Sequence, residues 1–390
     1  MTDEEVREVR VLYVIDSLGR GGAEMSLLAI AARLRSLGAR LIVVHLKEEG
    51  GLAPDLRAAG AEVMPLGSGP ARIARVQALR RLVRDIEPDL VHTTLFESDI
   101  TGRLALLRST VPLVCSLVND SYSDAHQRTP GLPALKLHAA SWLDMVTARR
   151  VDHWHAITLW VADAMAPRLH IDRSEIQVIP RGRDPAVLGM NSEERRARVR
   201  KALAIDVRAF VLLCAARHEW QKGLDVAIAA SARVRTELPG VRLLIAGRRG
   251  NQTGALEEQI GRLAAPVTLL DARDDVPDLM CAADLVLLPS RWEGLGGTIL
   301  EAMCLGAPVI ASDLPPFRET IGDDALFTPP GSVDALSAAI RAVAQGPAEA
   351  AERAERARRR FFDHYTTEQI ARRTMAFYRS ATSARRRASR

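Results

Sequence analysis

Aromatic residues make up only 4% of the chain, so its cores must rest on aliphatic side chains and alanine. Cysteine is equally scarce. Cys115, Cys214, Cys281 and Cys304 are the four, and each lies inside an apolar run. No two of them have metal-ligand spacing, so buried free thiols in a reducing compartment are the expectation. No apolar run approaches the ~18 residues a membrane helix needs. The acidic opening Met1-Thr-Asp-Glu-Glu has no signal-peptide pattern. A soluble, cytoplasmic chain is expected, at most peripheral at the inner face of a membrane. Basic–aromatic interleaving is missing and the arginines are dispersed, so the net charge of +5 gives no nucleic-acid surface. A mildly basic surface suits anionic nucleotides or anionic membranes.

What the chain does have is length, 390 residues, with 47% hydrophobic side chains. That is enough for roughly two to three domains with real cores. Short apolar runs alternate with helical patterns along most of it, the order of a parallel α/β fold. Residues 9–15 read as a strand, followed by a glycine loop, a helix to Leu37 and a strand over 41–46. The loop does not form G-x-G-x-x-G, so no dinucleotide fingerprint opens the chain. Residues 73–86 read as a basic amphipathic helix. It either packs on the sheet with solvated arginines, the favoured reading, or lies on an anionic membrane. His153 and His155 alternate with Trp154 on one strand face, with no third ligand nearby, and read as structural.

The stretch that organises the chain is Arg291-Trp-Glu293-Gly-Leu-Gly-Gly297-Thr-Ile-Leu-Glu301-Ala-Met-Cys-Leu-Gly306. It follows an apolar run over 285–288 that reads as a buried strand, ended by Pro289 and Ser290. Gly294, Gly296 and Gly297 form a turn into a helix over 298–305. Such a turn leaves free backbone N–H groups at the positive end of the helix dipole, a natural phosphate site. Glu293 sits on the turn and Glu301 about one turn inside the helix. Carboxylates repel phosphate, so their expected targets are hydroxyls, and one carboxylate can accept two hydrogen bonds from a vicinal diol such as a ribose. Phosphate plus two hydroxyl-bearing rings describes a nucleotide sugar. A second cationic element lies at Arg217-His-Glu-Trp-Gln-Lys222-Gly223, after a strand over 210–215. Two cations five positions apart around a strand-end turn can grip a diphosphate, Arg bidentately and Lys as a point charge.

Two glutamates with seven residues between them, around Gly-Leu-Gly and ahead of Glu-Ala-Met-x-x-Gly-x-Pro-Val, resemble the donor site of retaining glycosyltransferases of the GT-B fold. The resemblance is to glycosyltransferase family 4, strongest over 217–319 and weaker over the first domain. It implies an α/β architecture of two Rossmann-like, doubly wound parallel-sheet domains facing a cleft. An acceptor-side domain would span 1–180 and a donor domain 181–364. Residues 365–390 would form a helix crossing back onto the first domain, with a disordered basic tail from Ala384. In that family the first glutamate approaches the donor sugar and the second holds the ribose, roles that fall on Glu293 and Glu301. Arg217 and Lys222 match the pair that neutralises the leaving diphosphate, with the amides of Gly296 and Gly297 beside them. Gly247 opens a further phosphate-side turn. Arg273 lies in the edge over 271–278 that holds the nucleobase in relatives. Asp16-Ser-Leu-Gly19-Arg-Gly21-Gly22-Ala-Glu24 resembles the family's opening loop, which lies under the donor phosphates and beside the acceptor. Asp16 and Glu24 are acceptor-side candidates there.

His92, Glu97 and Asp99 follow a strand end, where open α/β sheets bind ligands. Asn119 stands where many relatives have a histidine. It cannot shuttle a proton at neutral pH, which leaves Asp120 or His92 as the candidate titrating group. Residues 121–133 read as a mobile loop over the acceptor side. Arg183 takes the place of an apolar residue in the segment that resembles the family's interdomain hinge.

The resemblance implies transfer of a sugar from a UDP- or GDP-linked donor to a glycan, lipid-linked or small-molecule hydroxyl, as in surface polysaccharide, glycolipid or glycoconjugate synthesis. The anomeric configuration would be retained. No cofactor and no metal are expected, since the chain has no D-x-D, the usual metal anchor of the other major glycosyltransferase fold. A nucleotide-sugar epimerase and a catalytically silent donor-binding subunit are the rival readings. The four residues Glu293, Glu301, Arg217 and Lys222 weigh against the silent subunit.

Overall fold

The computed structural model describes residues 8–47, 50–67, 69 and 71–388. The acidic opening over residues 1–7 lies outside them. Two compact units are formed. The first takes in Met1–Tyr122, Pro133–Gly182 and Thr366–Arg390, the second Ser123–Leu132 and Arg183–Tyr365.

In the first unit the strands are β1 (Val9–Ile15), β2 (Ala39–His45), β3 (Glu62–Pro65), β4 (Leu90–Thr94), β5 (Leu113–Leu117), β6 (His153–Ala156) and β7 (Ile176–Val178). Among the described residues they form one sheet in the order β3-β2-β1-β4-β5-β6-β7, parallel throughout. Near-continuous apolar runs such as Val9–Ile15 and Leu113–Leu117 suit strands buried on both faces. The helix Gly22–Ser36 covers one face with Leu27, Ala31 and Leu34. The helix Thr367–Ala388 joins the same core through Ala371, Met375, Tyr378 and Ala381. It therefore runs on past Ala384, where the sequence suggested a disordered tail.

In the second unit the strands are β8 (Val211–Ala215), β9 (Arg242–Ala246), β10 (Val267–Leu270), β11 (Leu285–Leu288), β12 (Val309–Ser312) and β13 (Leu326–Thr328). They are again parallel, in the order β10-β9-β8-β11-β12-β13. The aliphatic core includes Leu212, Ile228, Leu243, Leu285, Leu287, Ile310 and Leu336. Helices begin where the sequence places a capping hydroxyl. Ser192 accepts from the Arg195 amide and Ser332 from the Ala335 amide. Each sheet is doubly wound, with its order reversing between β1 and β4 in one unit and between β8 and β11 in the other. Ligands bind such sheets at the carboxyl ends of the strands flanking that switch. Two parallel-sheet α/β units of this kind make the GT-B architecture.

The basic helix Arg72–Ile86 buries Leu79 and Val83. Three of its arginines work inside the unit: Arg72 and Arg75 pair with Glu97, and Arg80 donates to the carbonyls of Leu104 and Ala105, while Arg81 and Arg84 are exposed. The four cysteines are free and buried, and burial pushes the Cys115 thiol up to about 12. Among the described residues no helix is long and apolar enough to cross a membrane.

Candidate donor site

A small pocket sits at the switch point of the second sheet. It is lined at the strand ends by Cys214 to Ala216 and by Leu287 to Ser290, and beyond them by Lys222, Glu293, Gly296, Gly297, Thr298 and Phe317. Two local features of the sequence build it. Gly223 has φ +61°, and a side chain there would strike the Pro289 carbonyl, so the turn after β8 can close onto the end of β11. Gly296 has φ +83° and lies with its Cα over the Phe317 ring, where a Cβ would come within 2.7 Å of the ring edge. The helix Gly297–Leu305 then starts with Gly296 as its cap, and no side chain satisfies its first amides. Those amides remain available to an anion.

Lys222 and Glu293 meet in this pocket. The lysine Nζ donates to Glu293 Oε1 at 2.5 Å, and Ser290 Oγ donates to the same oxygen at 3.0 Å. Glu293 is only 8% exposed. The pairing is set by a rivet between the two loops. Arg291 lies over the Trp220 ring, 3.5 Å from its centroid. It also forms a two-pronged ion pair with Asp225, at 2.9 and 2.7 Å. The Arg291 amide bonds the Gln221 carbonyl at 2.7 Å, and Gln221 Nε2 donates to the Trp292 carbonyl at 2.9 Å. Periodicity and glycine patterns carry no sign of these contacts, so Ser290, Arg291, Trp220 and Gln221 escaped the sequence reading.

Glu301 lies on the same helix, half-buried, and accepts from Arg183 Nε at 2.7 Å. Gly247 follows β9, its Cα packed against the Ala216 carbonyl. The structure thus brings together Lys222, Glu293, Gly296 and Gly297 in the pocket, and Glu301 on its helix. Two expected residues stand apart. Arg217 is exposed, forms no hydrogen bond or ion pair through its side chain among the described residues, and does not line the pocket. Arg273 is engaged by its own loop, with Nε and Nη2 on Asp275 at 2.6 and 2.5 Å. Its short tether to Asp275 holds it there.

On the first unit most acceptor-side candidates have structural partners. Asp16 accepts from the amide and hydroxyl of Ser98, at 2.8 and 2.7 Å, and so caps the helix Phe96–Ala105. Glu97 is held by Arg72 and Arg75. Asp120 is buried and paired with Arg168. His92 is buried, donating or accepting at Tyr378 Oη and Ser116 Oγ, both at 2.7 Å. Burial holds its pKa well below the usual histidine range. His92 is therefore held neutral at physiological pH. His155 completes the chain through Ser116 Oγ and the Ile179 carbonyl, the structural role expected. Asp99 is buried against Thr93 Oγ1 at 2.5 Å. Asn119 Oδ1 accepts from the Asp120 amide at 3.1 Å. Gly21 caps the helix Gly22–Ser36, with the Glu24 carboxylate folded against it and Arg181 beside Gly22.

Of the segment 121–133, expected as a mobile loop over the acceptor, residues 123–132 group with the second unit. They contain the short helix Asp124–Gln127, capped by Ser123, and the His126 ring lies tilted against Trp292 with ring centroids 5.6 Å apart. Among the described residues no three His, Cys, Asp or Glu side chains are grouped to hold a metal ion.

Comparison with known proteins gives two family matches. Residues 21–182 match the glycosyl transferase 4-like domain and residues 209–345 match the glycosyl transferases group 1 domain. The D-inositol 3-phosphate glycosyltransferase of Acidothermus cellulolyticus is 26% identical over 331 residues, covering 75% of this chain and 70% of that protein. Glycogen synthase of Mycobacterium tuberculosis is 32% identical over 175 residues, and that match spans only 44% of this chain and 42% of the synthase. Among solved structures, Anabaena HepE in complex with UDP-glucose aligns with a TM-score of 0.84 at 24% identity, over 96% of this chain and all of that one. Sucrose-phosphate synthase from Thermosynechococcus elongatus aligns with a TM-score of 0.80 at 20% identity, over 96% and 100%.

Proposed function

This chain belongs to glycosyltransferase family 4, and on that footing we propose that it transfers a sugar from a nucleoside diphosphate donor to an acceptor hydroxyl with retention of configuration. The observation that carries the proposal is the Lys222–Glu293 pair beside uncapped helix amides, at the switch point of the second sheet. The leaving diphosphate gains negative charge as the glycosidic bond breaks. Lys222 and the amides of Gly296 and Gly297 are aimed at that charge, and stabilisation of developing charge by fixed donors is the largest catalytic term such a site can supply. Glu293, held by Lys222 and Ser290, faces the sugar hydroxyls. Glu301 takes the ribose diol.

Arg217 joins when donor is bound, its exposed side chain being free to swing onto the diphosphate. The positive charge is supplied by side chains and amides, so transfer is expected to continue in the presence of a metal chelator. A UDP-linked donor is the first to try, because relatives of this fold have been solved with UDP and UDP-glucose. The acceptor is assigned to the first unit, with Glu24 and Asn119 among its candidate hydroxyl-binding groups. A glycan, a lipid-linked glycan or a small molecule each fits that description.

The test is thermal shift of the pure protein with UDP, GDP and their sugars, without added metal, followed by transfer assays with the donor that binds. A donor that binds only the folded state must raise the melting temperature. Sugar transfer unchanged in both Lys222→Ala and Glu293→Ala would sink the proposal. Product formed with no acceptor present would favour an epimerase instead.

A further inference from the structure

The helix Ala134–Ala148 of the first unit keeps its acid inside and its apolar stripe outside. It buries Asp144 and Ala148 and no other side chain fully. Asp144 is its one acidic residue. It accepts from Arg103 Nη1 at 2.5 Å and from the Tyr122 hydroxyl at 2.8 Å, and Arg103 is itself buried. A charge pair thus fastens the inner side of the helix. The outer side is apolar. Leu135 is 83% exposed, Trp142 62% and Val146 46%, with Ala139 exposed between them. Residues at i, i+4, i+7 and i+11 share one stripe of a helix, and Asp144 lies about half a turn round from it.

An exposed stripe of this kind forgoes the burial that a core face supplies, and marks a surface that something covers. The charges beside it say what. Lys136 on the helix and Arg149 at its end are exposed. Arg150 donates to the carbonyls of Leu106, Ser109 and Val111, which ties the turn carrying exposed Leu107 and Arg108 to that same end. Asp152 beside this turn is paired with Arg150. A second copy laid on the stripe across a two-fold axis would set cations against cations. A bilayer of anionic lipid suits both parts of the face. Apolar side chains enter at the acyl boundary while lysine and arginine meet the head groups, and the indole of a tryptophan is at home between the two. No helix among the described residues is long and apolar enough to cross a membrane, so this one would lie flat.

We propose that the helix Ala134–Ala148 docks the first unit on an anionic membrane surface, with Leu135, Trp142 and Val146 inserted and Lys136, Arg108 and Arg149 on the head groups. The helix whose composition suggested a membrane contact, Arg72–Ile86, instead commits three arginines inside the unit. Docking is argued from the first unit alone and does not depend on the donor-site reading. On that reading it favours a lipid-linked acceptor over a soluble one.

The experiment is co-sedimentation of the full chain with vesicles of equal parts phosphatidylglycerol and phosphatidylcholine, and with vesicles of phosphatidylcholine alone. The variants are the triple Leu135→Ser, Trp142→Ser, Val146→Ser; Trp142→Ser alone; and the pair Lys136→Glu, Arg149→Glu. The pair Val187→Ser, Val207→Ser is the control, since it removes similarly exposed apolar side chains from the second unit. Melting without vesicles confirms that each is folded. Wild type is expected to bind the anionic vesicles and to bind phosphatidylcholine alone more weakly. The triple variant should lose about tenfold or more in vesicle affinity, the charge-reversed pair several-fold, and the control less than about twofold. Trp142→Ser, expected to lose several-fold, carries the test if the triple variant melts early. No binding of wild type to anionic vesicles would overturn the inference. So would equal binding of wild type and the folded stripe variants, or equal losses in stripe and control. A wild-type dimer in sedimentation velocity that the triple variant turns into a monomer, with no vesicle binding by either, would assign the stripe to a second copy and overturn it as well. Nucleotide thermal shift on the same proteins reports the donor site separately, so either reading can fail while the other stands.

Discussion

Lys222 and Glu293, 71 residues apart in the chain, share a 2.5 Å ion pair at the carboxyl ends of two adjacent strands. On the proposed function, the pair sets a cation for the donor phosphate beside a carboxylate for its sugar. Removing the lysine leaves a buried carboxylate with Ser290 as its one side-chain partner among the described residues. Lys222→Ala is therefore expected to lower stability by about 1–3 kcal/mol, read as the urea midpoint of the ligand-free protein. Adding Glu293→Gln should recover part of that loss, because a neutral amide tolerates the site. Neither variant should retain more than about one hundredth of wild-type transfer.

Arg291 touches no proposed substrate group, yet it decides where Lys222 sits. Its ring contact with Trp220 and its pair with Asp225 hold the Trp220–Lys222 turn against the loop that carries Glu293. Arg291→Ala should cost about 1 kcal/mol of stability and a larger fraction of donor affinity. Calorimetric titration with the donor nucleotide checks this. Unchanged affinity would show that Lys222 is positioned without the rivet.

Asp99 gives the first unit a pH dependence. Burial pushes its carboxyl up to about 7, with Arg103 and the Thr93 hydroxyl opposing. The folded state therefore holds more protons than the unfolded one between the ordinary carboxylate value and pH 7. Stability falls as pH rises through that window, and the contribution is gone above it. Asp99→Asn keeps the acceptor for Thr93 and removes the titration. Its stability relative to wild type should rise between pH 5 and pH 8, on the order of a few kcal/mol, measured by denaturant titration at each pH.

His155 works in the opposite direction. Burial holds it down to about 4, so the folded state binds fewer protons than the unfolded one below pH 6.5. Its contribution is complete above that value and is lost as the pH falls toward 4. His155→Gln should reduce the proton uptake on unfolding near pH 5 by about one, obtained from the slope of stability against pH. An unchanged slope would mean that the buried imidazole is already charged.

The glycine turn from β11 into its helix was legible because its causes are local. An apolar run, a proline, three glycines and a helical period lie within one stretch of chain. The same holds for most strands, whose apolar runs in a parallel sheet are almost unbroken. The element ends that shifted, such as the last helix reaching Ala388, depend on packing that the local pattern does not contain. The acceptor-side candidates were harder. Sequence places Asp16, His92, Glu97 and Asp120 near strand ends, but a strand-end polar residue can face a ligand or hold its own unit together. The structure shows these four engaged by Ser98, Tyr378, Arg72 and Arg168.

By itself the sequence determined the alternation of buried strands with helices, the glycine turn that follows the strand over 285–288, and the residue types a nucleotide-sugar site needs. Those follow from periodicity, backbone freedom and side-chain chemistry, all of which act over a few residues. Only the tertiary structure decided which charges meet. Lys222 found Glu293 and Arg183 found Glu301, 118 residues away, while Arg217 stayed exposed and Arg273 turned to its neighbour Asp275. Partner choice between distant charges is set by how helices and strand ends stack, and the chain records that choice nowhere along its length.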